Sequence, residues 1–255
     1  MHAPAELADT IAEVLARIRA RAPRVHCITN TVAQAYTANM LLAAGAIPSM
    51  TIAPEEIGAF VDDAHALLVN LGTFDRDRKS AIELAVGSAH EQGVPWLLDP
   101  VFIERSPARA EFARSLLGRK PAVVRLNAKE FTALSDAEAG DEAAAHFAKA
   151  HGTVMALTGQ VDSVTGERQR TSIANGDPLM GQVTAMGCAG SALVCAALAV
   201  ETDPFIATVA ALAAFGIAGE MAARQANGPG SFAIAIIDAL HNLDRAQLRA
   251  HLRAS

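Results

Sequence analysis

Short apolar runs alternate with helical patterns along the first two thirds of the chain, and this alternation restricts the fold more than any single residue does. The runs are Val25–Ile28, Ile47–Ile52, Ala66–Val69, Trp96–Leu98, Ala122–Val124 and Val154–Leu157. Between them, helical periodicity covers Thr31–Ala44, Pro54–Ala64, Arg78–Gln92, Ala108–Gly118 and Asp141–His151. Repeated βα units need right-handed crossovers, so the expected core is a mostly parallel sheet with helices on both faces. After Val154 the pattern changes to a hairpin, Asp162–Thr165 and Arg170–Ile173 around Gly166. The last third reads as helices over Cys188–Val200, Pro204–Gln225 and Ser231–Asn242. No linker, repeat or low-complexity segment interrupts the 255 residues, so one α/β domain over 1–255 is expected.

Composition excludes several classes. With 51% hydrophobic residues and a net charge of −6, the chain has ample core and no basic surface for nucleic acid or anionic lipid. Cys27, Cys188 and Cys195 make an odd count without a CxxC pair, which suits a reducing compartment, the cytoplasm by default. The opening MHAPAELADTIAEVLARIRAR is an amphipathic first helix rather than a signal peptide. Uncharged stretches at Pro178–Val200 and Pro204–Gly219 are long enough for a span, but Gln182, Thr184, Ser191 and three glycines in the first favour buried helices, and no membrane role is expected.

Two features carry chemistry. Gly181–Val200 reads as an extended segment passing through a turn at Ala185, Met186 and Gly187 into a helix that opens at Cys188. Unpaired amides and the positive end of the dipole make such a start an anion site, and a thiol placed there is expected to have its pKa lowered. The competing reading is close helix packing, with Cys188 and Cys195 as small apolar residues. Secondly, Thr29, Asn30, Asn70, Asp99, Arg125, Asn127, Glu130 and Thr158 follow the apolar runs, which places them at the carboxyl edge of the sheet, where open α/β sheets bind ligands. Polar residues also stand there as caps and turn formers, so for Asn30 and Asn70 both uses stay open.

The strings VHCITNTV, TANMLLAAGAIPSMTIAPEE, LLVNLGT, PWLLDPV, VRLNAKE, ALTGQVD, GDPLM, GCAGSA and GPGSFAIAIIDAL occur in this order across Arg24 to Asn242. In that set and order the chain closely resembles the hydroxyethylthiazole kinases of thiamine salvage, members of the ribokinase-like superfamily. The resemblance implies a three-layer αβα fold and ATP-dependent phosphorylation of the hydroxyl of 4-methyl-5-(2-hydroxyethyl)thiazole with Mg²⁺. It implies Cys188 at the position where ribokinase-like relatives carry an aspartate base, and Arg125, Thr158 and Gly187 at the ATP phosphates. Asp99 and Glu130 fall to the metal, partly through water, and Met50, Asn30 and Ala185 to the thiazole. A homotrimer with interfacial sites is the implied assembly.

Departures from the family pattern cluster on the phosphate side. VTAMGC stands where the family usually reads VTGTGC, so Ala185 replaces a glycine and Met186 a small residue that left the phosphate path open. VFIERSP replaces a VGVGATP-like segment, Leu126 replaces the glycine of RGN, and Leu134–Ala139 is short. Two alternatives follow: a relative that holds thiazole or thiamine-like ligands without turnover, and a kinase for another small alcohol, since one fold serves several substrates.

Overall fold

The computed structural model describes residues 4–255; the part of the expected first helix at Met1–Ala3 lies outside the described residues. One eight-stranded sheet runs in the order β2-β1-β3-β4-β5-β6-β7-β8. The strands are β1 (Arg24–Ile28), β2 (Ile47–Ser49), β3 (Ala66–Asn70), β4 (Trp96–Asp99), β5 (Val123–Asn127), β6 (Val154–Thr158), β7 (Asp162–Thr165) and β8 (Arg170–Ile173). The first six are parallel, and the β7–β8 hairpin continues the sheet antiparallel, as its sequence implied.

Strand side chains alternate between two apolar layers, the period-2 consequence of the pleat. Val25, Cys27, Leu68, Leu97 and Val123 pack with the apolar residues of α1 (Pro4–Arg21), α2 (Gln34–Ala44), α8 (Met186–Leu198), α9 (Pro204–Ala223) and α10 (Pro229–Asn242). Ile28, Leu67, Val69, Leu98 and Val124 pack with α3 (Pro54–Asp62), α4 (Arg76–Gln92), α5 (Pro107–Leu117), α6 (Ala128–Ser135) and α7 (Asp141–His151). The result is the expected three-layer αβα arrangement. Helix α9 is long and apolar enough to cross a membrane, yet its apolar surface is taken up by the core, against α8 and α10.

Several boundaries differ from the sequence reading. Strand β2 ends at Ser49 rather than Ile52. Helix α2 starts at Gln34 rather than Thr31, because the Asn30 side chain and carbonyl both accept from the Ala33 amide and close a turn first. Pro178–Gln182 is a 3₁₀ turn capped by Asp177 rather than extended chain, and α8 opens at Met186, two residues before Cys188. Helices α6 and α11 (Arg245–His251) were not anticipated; each carries a capping box, Asn127 with Glu130 and Asp244 with Gln247.

Chain direction across the sheet reverses once. From β1 the chain moves outward to β2, then returns to add β3 on the other side of β1. Helix α2, after β1, belongs to one layer and α4, after β3, to the other. The loops leaving β1 and β3 therefore diverge, and a crevice opens outside the carboxyl ends of these two strands.

Candidate active site

Cys188 sits at that crevice, half-buried, as the third residue of α8. Asn30, two residues past β1, donates from Nδ2 to its Sγ at 3.1 Å, and Asn70, the last residue of β3, donates at 3.3 Å. The second Nδ2 hydrogen of Asn70 goes to Asp99 Oδ2 at 2.8 Å, and Ser191 Oγ donates to the same oxygen at 2.8 Å. Arg125 closes the chain from β5, reaching the Gly187 carbonyl at 3.0 Å and Ser191 Oγ at 3.3 Å. Capping and site contact, left open for Asn30 and Asn70, coexist: Asn30 Oδ1 accepts from Ala33, Asn70 Oδ1 from Gly72, and the amide nitrogens turn to the thiol. Gly72 is required by this packing, since a Cβ there would stand 2.7 Å from Asn30 Nδ2 and 3.0 Å from Asn70 Oδ1.

The expectation of a lowered thiol pKa is corrected. Burial, reinforced by the nearby Asp99 carboxylate, pushes Cys188 up to about 11, outweighing the two amide donors and Arg125. At neutral pH the group is a thiol. Asp99 and Glu130, both buried, are also raised, in each case first by burial; the charges of Asp99 and Glu104 add to the rise at Glu130. Glu130 accepts from the amides of Asn127 at 2.9 Å and Phe102 at 2.8 Å, so the α6 cap also ties down the loop after β4.

The start of α8 offers unpaired amides. Ala189 is the first residue to bond back a full turn, to the Ala185 carbonyl at 2.9 Å, so the Gly187 and Cys188 amides precede the first helical bond. Gly187 borders a cavity of about 770 Å³ lined also by Arg125, Thr158, Asp162, Met186 and Phe215, among others. Arg125 Nε is buried with no acceptor among the described residues, a donor left for a ligand. Met186 is 4% exposed, packs into the core and forms part of the cavity lining. Thr158 Oγ1 donates to the Leu126 carbonyl at 3.3 Å from the far wall.

Met50 is not brought into this cavity. It follows edge strand β2 and lines a separate one of about 490 Å³ with Thr51, Ile52, Ala53 and Arg76. Strand order nevertheless sets the residues in a row along the carboxyl edge: Met50 after β2, Asn30 after β1, Asn70 on β3, Asp99 on β4, Arg125 on β5 and Thr158 on β6. At about 4.8 Å per strand the row spans roughly 24 Å, with Cys188 over its middle. Ser191, Asp162 and Gly72 were not singled out for roles from sequence; the N-x-G turn of Asn70, Leu71 and Gly72 after an apolar run could have flagged Gly72, whereas Ser191 needs the fold to meet Asp99.

The Hydroxyethylthiazole kinase family model matches residues 15–246. The chain belongs to the hydroxyethylthiazole kinase family. It is 45% identical over 248 residues to a hydroxyethylthiazole kinase of Cereibacter sphaeroides, covering 92% of this chain and 94% of the relative. It is 41% identical over 242 residues to a probable hydroxyethylthiazole kinase of Agrobacterium fabrum, covering 95% and 93%. Among solved structures, the hydroxyethylthiazole kinase protein of Pyrococcus horikoshii OT3 superposes with a TM-score of 0.93 at 37% identity, over 97% of this chain and 98% of that one. A ribokinase-like superfamily protein of Enterococcus faecalis, 12% identical with a TM-score of 0.71 over 93% and 95% of the chains, shares the fold.

Two departures from the hydroxyethylthiazole kinase pattern have a common geometry. Ala185 and Phe102, each standing where the family usually has glycine, adopt left-handed backbone with φ of 72° and 57°. Val101 beside Phe102 has φ of 37°, a costly conformation for a β-branched residue. The chain keeps the turn shapes without the residue that adopts them most cheaply, and the Phe102 amide bond to Glu130 and the Arg109 bond to the Val101 carbonyl at 2.7 Å hold one of them.

Proposed function

We propose that the protein transfers the γ-phosphoryl group of ATP to the hydroxyl of 4-methyl-5-(2-hydroxyethyl)thiazole, acting as one 1–255 domain. The observation that carries this reading is Cys188 under two amide donors at the crevice, beside the unpaired start of α8 and the Arg125-lined cavity. ATP occupies the cavity with its phosphates at Arg125, Thr158 and Gly187, and the acceptor lies along Met50, Asn30 and Ala185. The alcohol oxygen forms a bond to the γ-phosphorus as the bond to the β-bridging oxygen breaks, and the Gly187 and Cys188 amides stabilise charge on the equatorial oxygens. As a thiol with pKa about 11, Cys188 aligns the hydroxyl by accepting its hydrogen bond, and the hydroxyl proton leaves late, to an oxygen of the transferred phosphoryl group. Asn70 orients both Cys188 and Asp99 from one carboxamide.

Magnesium fits the donor set. Asp99 and Glu130 are carboxylates raised first by burial, and the charges of Asp99 and Glu104 add to the rise at Glu130, a field that a divalent cation would relieve. Mg²⁺ is commonly held by one or two carboxylates together with water and phosphate oxygens. Asp99 and Glu130 would hold Mg²⁺, which would supply neutralisation of phosphate charge.

Self-association as a homotrimer is supported by exposed Val32, Leu42, Ile47 and Ile234 around the joined α2, β2 and α10, next to the Met50 end of the row. A cytoplasmic location accords with three unpaired cysteines. The test is ADP release from ATP and Mg²⁺ with and without the thiazole alcohol. Alcohol-dependent ADP is expected; saturable thiazole binding without ADP would replace the kinase by a ligand-holding relative, and a faster rate with another alcohol would replace the substrate.

A further inference from the structure

His26 is fully buried on β1, on the face of the sheet toward α3. Its Nδ1 lies 2.8 Å from Ser49 Oγ and its Nε2 lies 3.1 Å from the Thr51 carbonyl. A carbonyl only accepts, so Nε2 carries the hydrogen and Nδ1 accepts from the Ser49 hydroxyl. The residue between these two partners is Met50. On the other side Thr51 Oγ1 donates to Glu56 at 2.8 Å and accepts from the Ala53 amide at 3.3 Å, so the segment is anchored from both flanks. Burial pushes the ring down to about 4, which keeps it neutral and able to donate and accept at once. A buried histidine that merely satisfies itself needs any two partners; this one takes the two neighbours of a single apolar side chain.

We infer that His26 is a positioning residue for the acceptor, fixing the direction of Met50 by holding Ser49 and Thr51 across it. The inference deepens the proposed function and rests on Met50 meeting the thiazole ring. His26→Leu removes both bonds, Ser49→Ala removes one, and His26→Gln restores a donor toward Thr51. With purified variants, KM for the thiazole alcohol is expected to rise roughly tenfold in His26→Leu and about threefold in Ser49→Ala, with KM for ATP unchanged and partial recovery in His26→Gln. Should His26→Leu fail to fold, Ser49→Ala decides alone. An unchanged acceptor KM in both, or equal rises in the two KM values, overturns the role. Met50→Ala separates the two layers of argument: if it leaves the acceptor KM unchanged, the Met50 assignment is wrong, whereas a rise with no effect of Ser49→Ala or His26→Leu removes His26 alone.

Discussion

At the scale of single residues, Cys188 concentrates the chemistry and its environment sets its form. Two carboxamides point donors at the sulfur, yet burial and Asp99 win, so the thiol holds its proton up to about pH 11. Below that value each pH unit multiplies the thiolate about tenfold, so carbamidomethylation of Cys188, followed by mass spectrometry, is expected to accelerate steadily from pH 7 toward 11. A plateau near pH 8 would show a thiol activated as the helix start alone suggests. Cys188→Ala is expected to lower kcat on the order of 100-fold with little change in thiazole KM. Asp99 supplies a sign that can be measured. Its folded pKa is raised, so its contribution to stability is complete below the ordinary 3.8 and is lost as pH rises through the folded value. Asp99→Asn is therefore expected to show a smaller fall in Tm from acid to neutral pH than the parent, together with lost turnover.

At the scale of elements, the start of α8 and the start of α6 place the site. Ala185 at φ 72° carries a left-handed cost of about 1 kcal/mol that glycine would not, so Ala185→Gly is expected to raise unfolding stability by about that amount in urea titration. Asn127 accepts from the Lys129 and Glu130 amides, and Asn127→Ala is expected to cost about 1 kcal/mol and to loosen the Phe102 loop through Glu130. These elements also show what was legible in advance. Ala185 stands out in the sequence as a replaced glycine, and the Asp141–His151 helix and the hairpin strands agree to the residue because acidic starts and β-branched alternation mark them. Helix α6 was missed although N-x-x-E announces its cap, since eight residues leave little periodicity to read. The thiol pKa was misjudged because a local rule about helix starts was applied without the burial that only tertiary packing creates.

At the scale of the molecule, alternation of runs and helices implied the layered sheet, but sequence does not say where the strand order turns back. That reversal between β1 and β3 decides why Asn30 and Asn70, forty positions apart, share one sulfur. The apolar surface around α2, β2 and α10 belongs to the same scale. Light scattering is expected to give three times the chain mass, and Leu42→Glu with Ile234→Glu to give a single chain.

The single-file placement of Met50, Asn30, Asn70, Asp99, Arg125 and Thr158 has a kinetic corollary under the proposed assignment. Donor and acceptor dock from opposite flanks and meet only at the thiol, so neither stands in the other's doorway. Either can arrive first, and double-reciprocal plots at varied fixed co-substrate should intersect, with product inhibition patterns lacking the signature of a compulsory order.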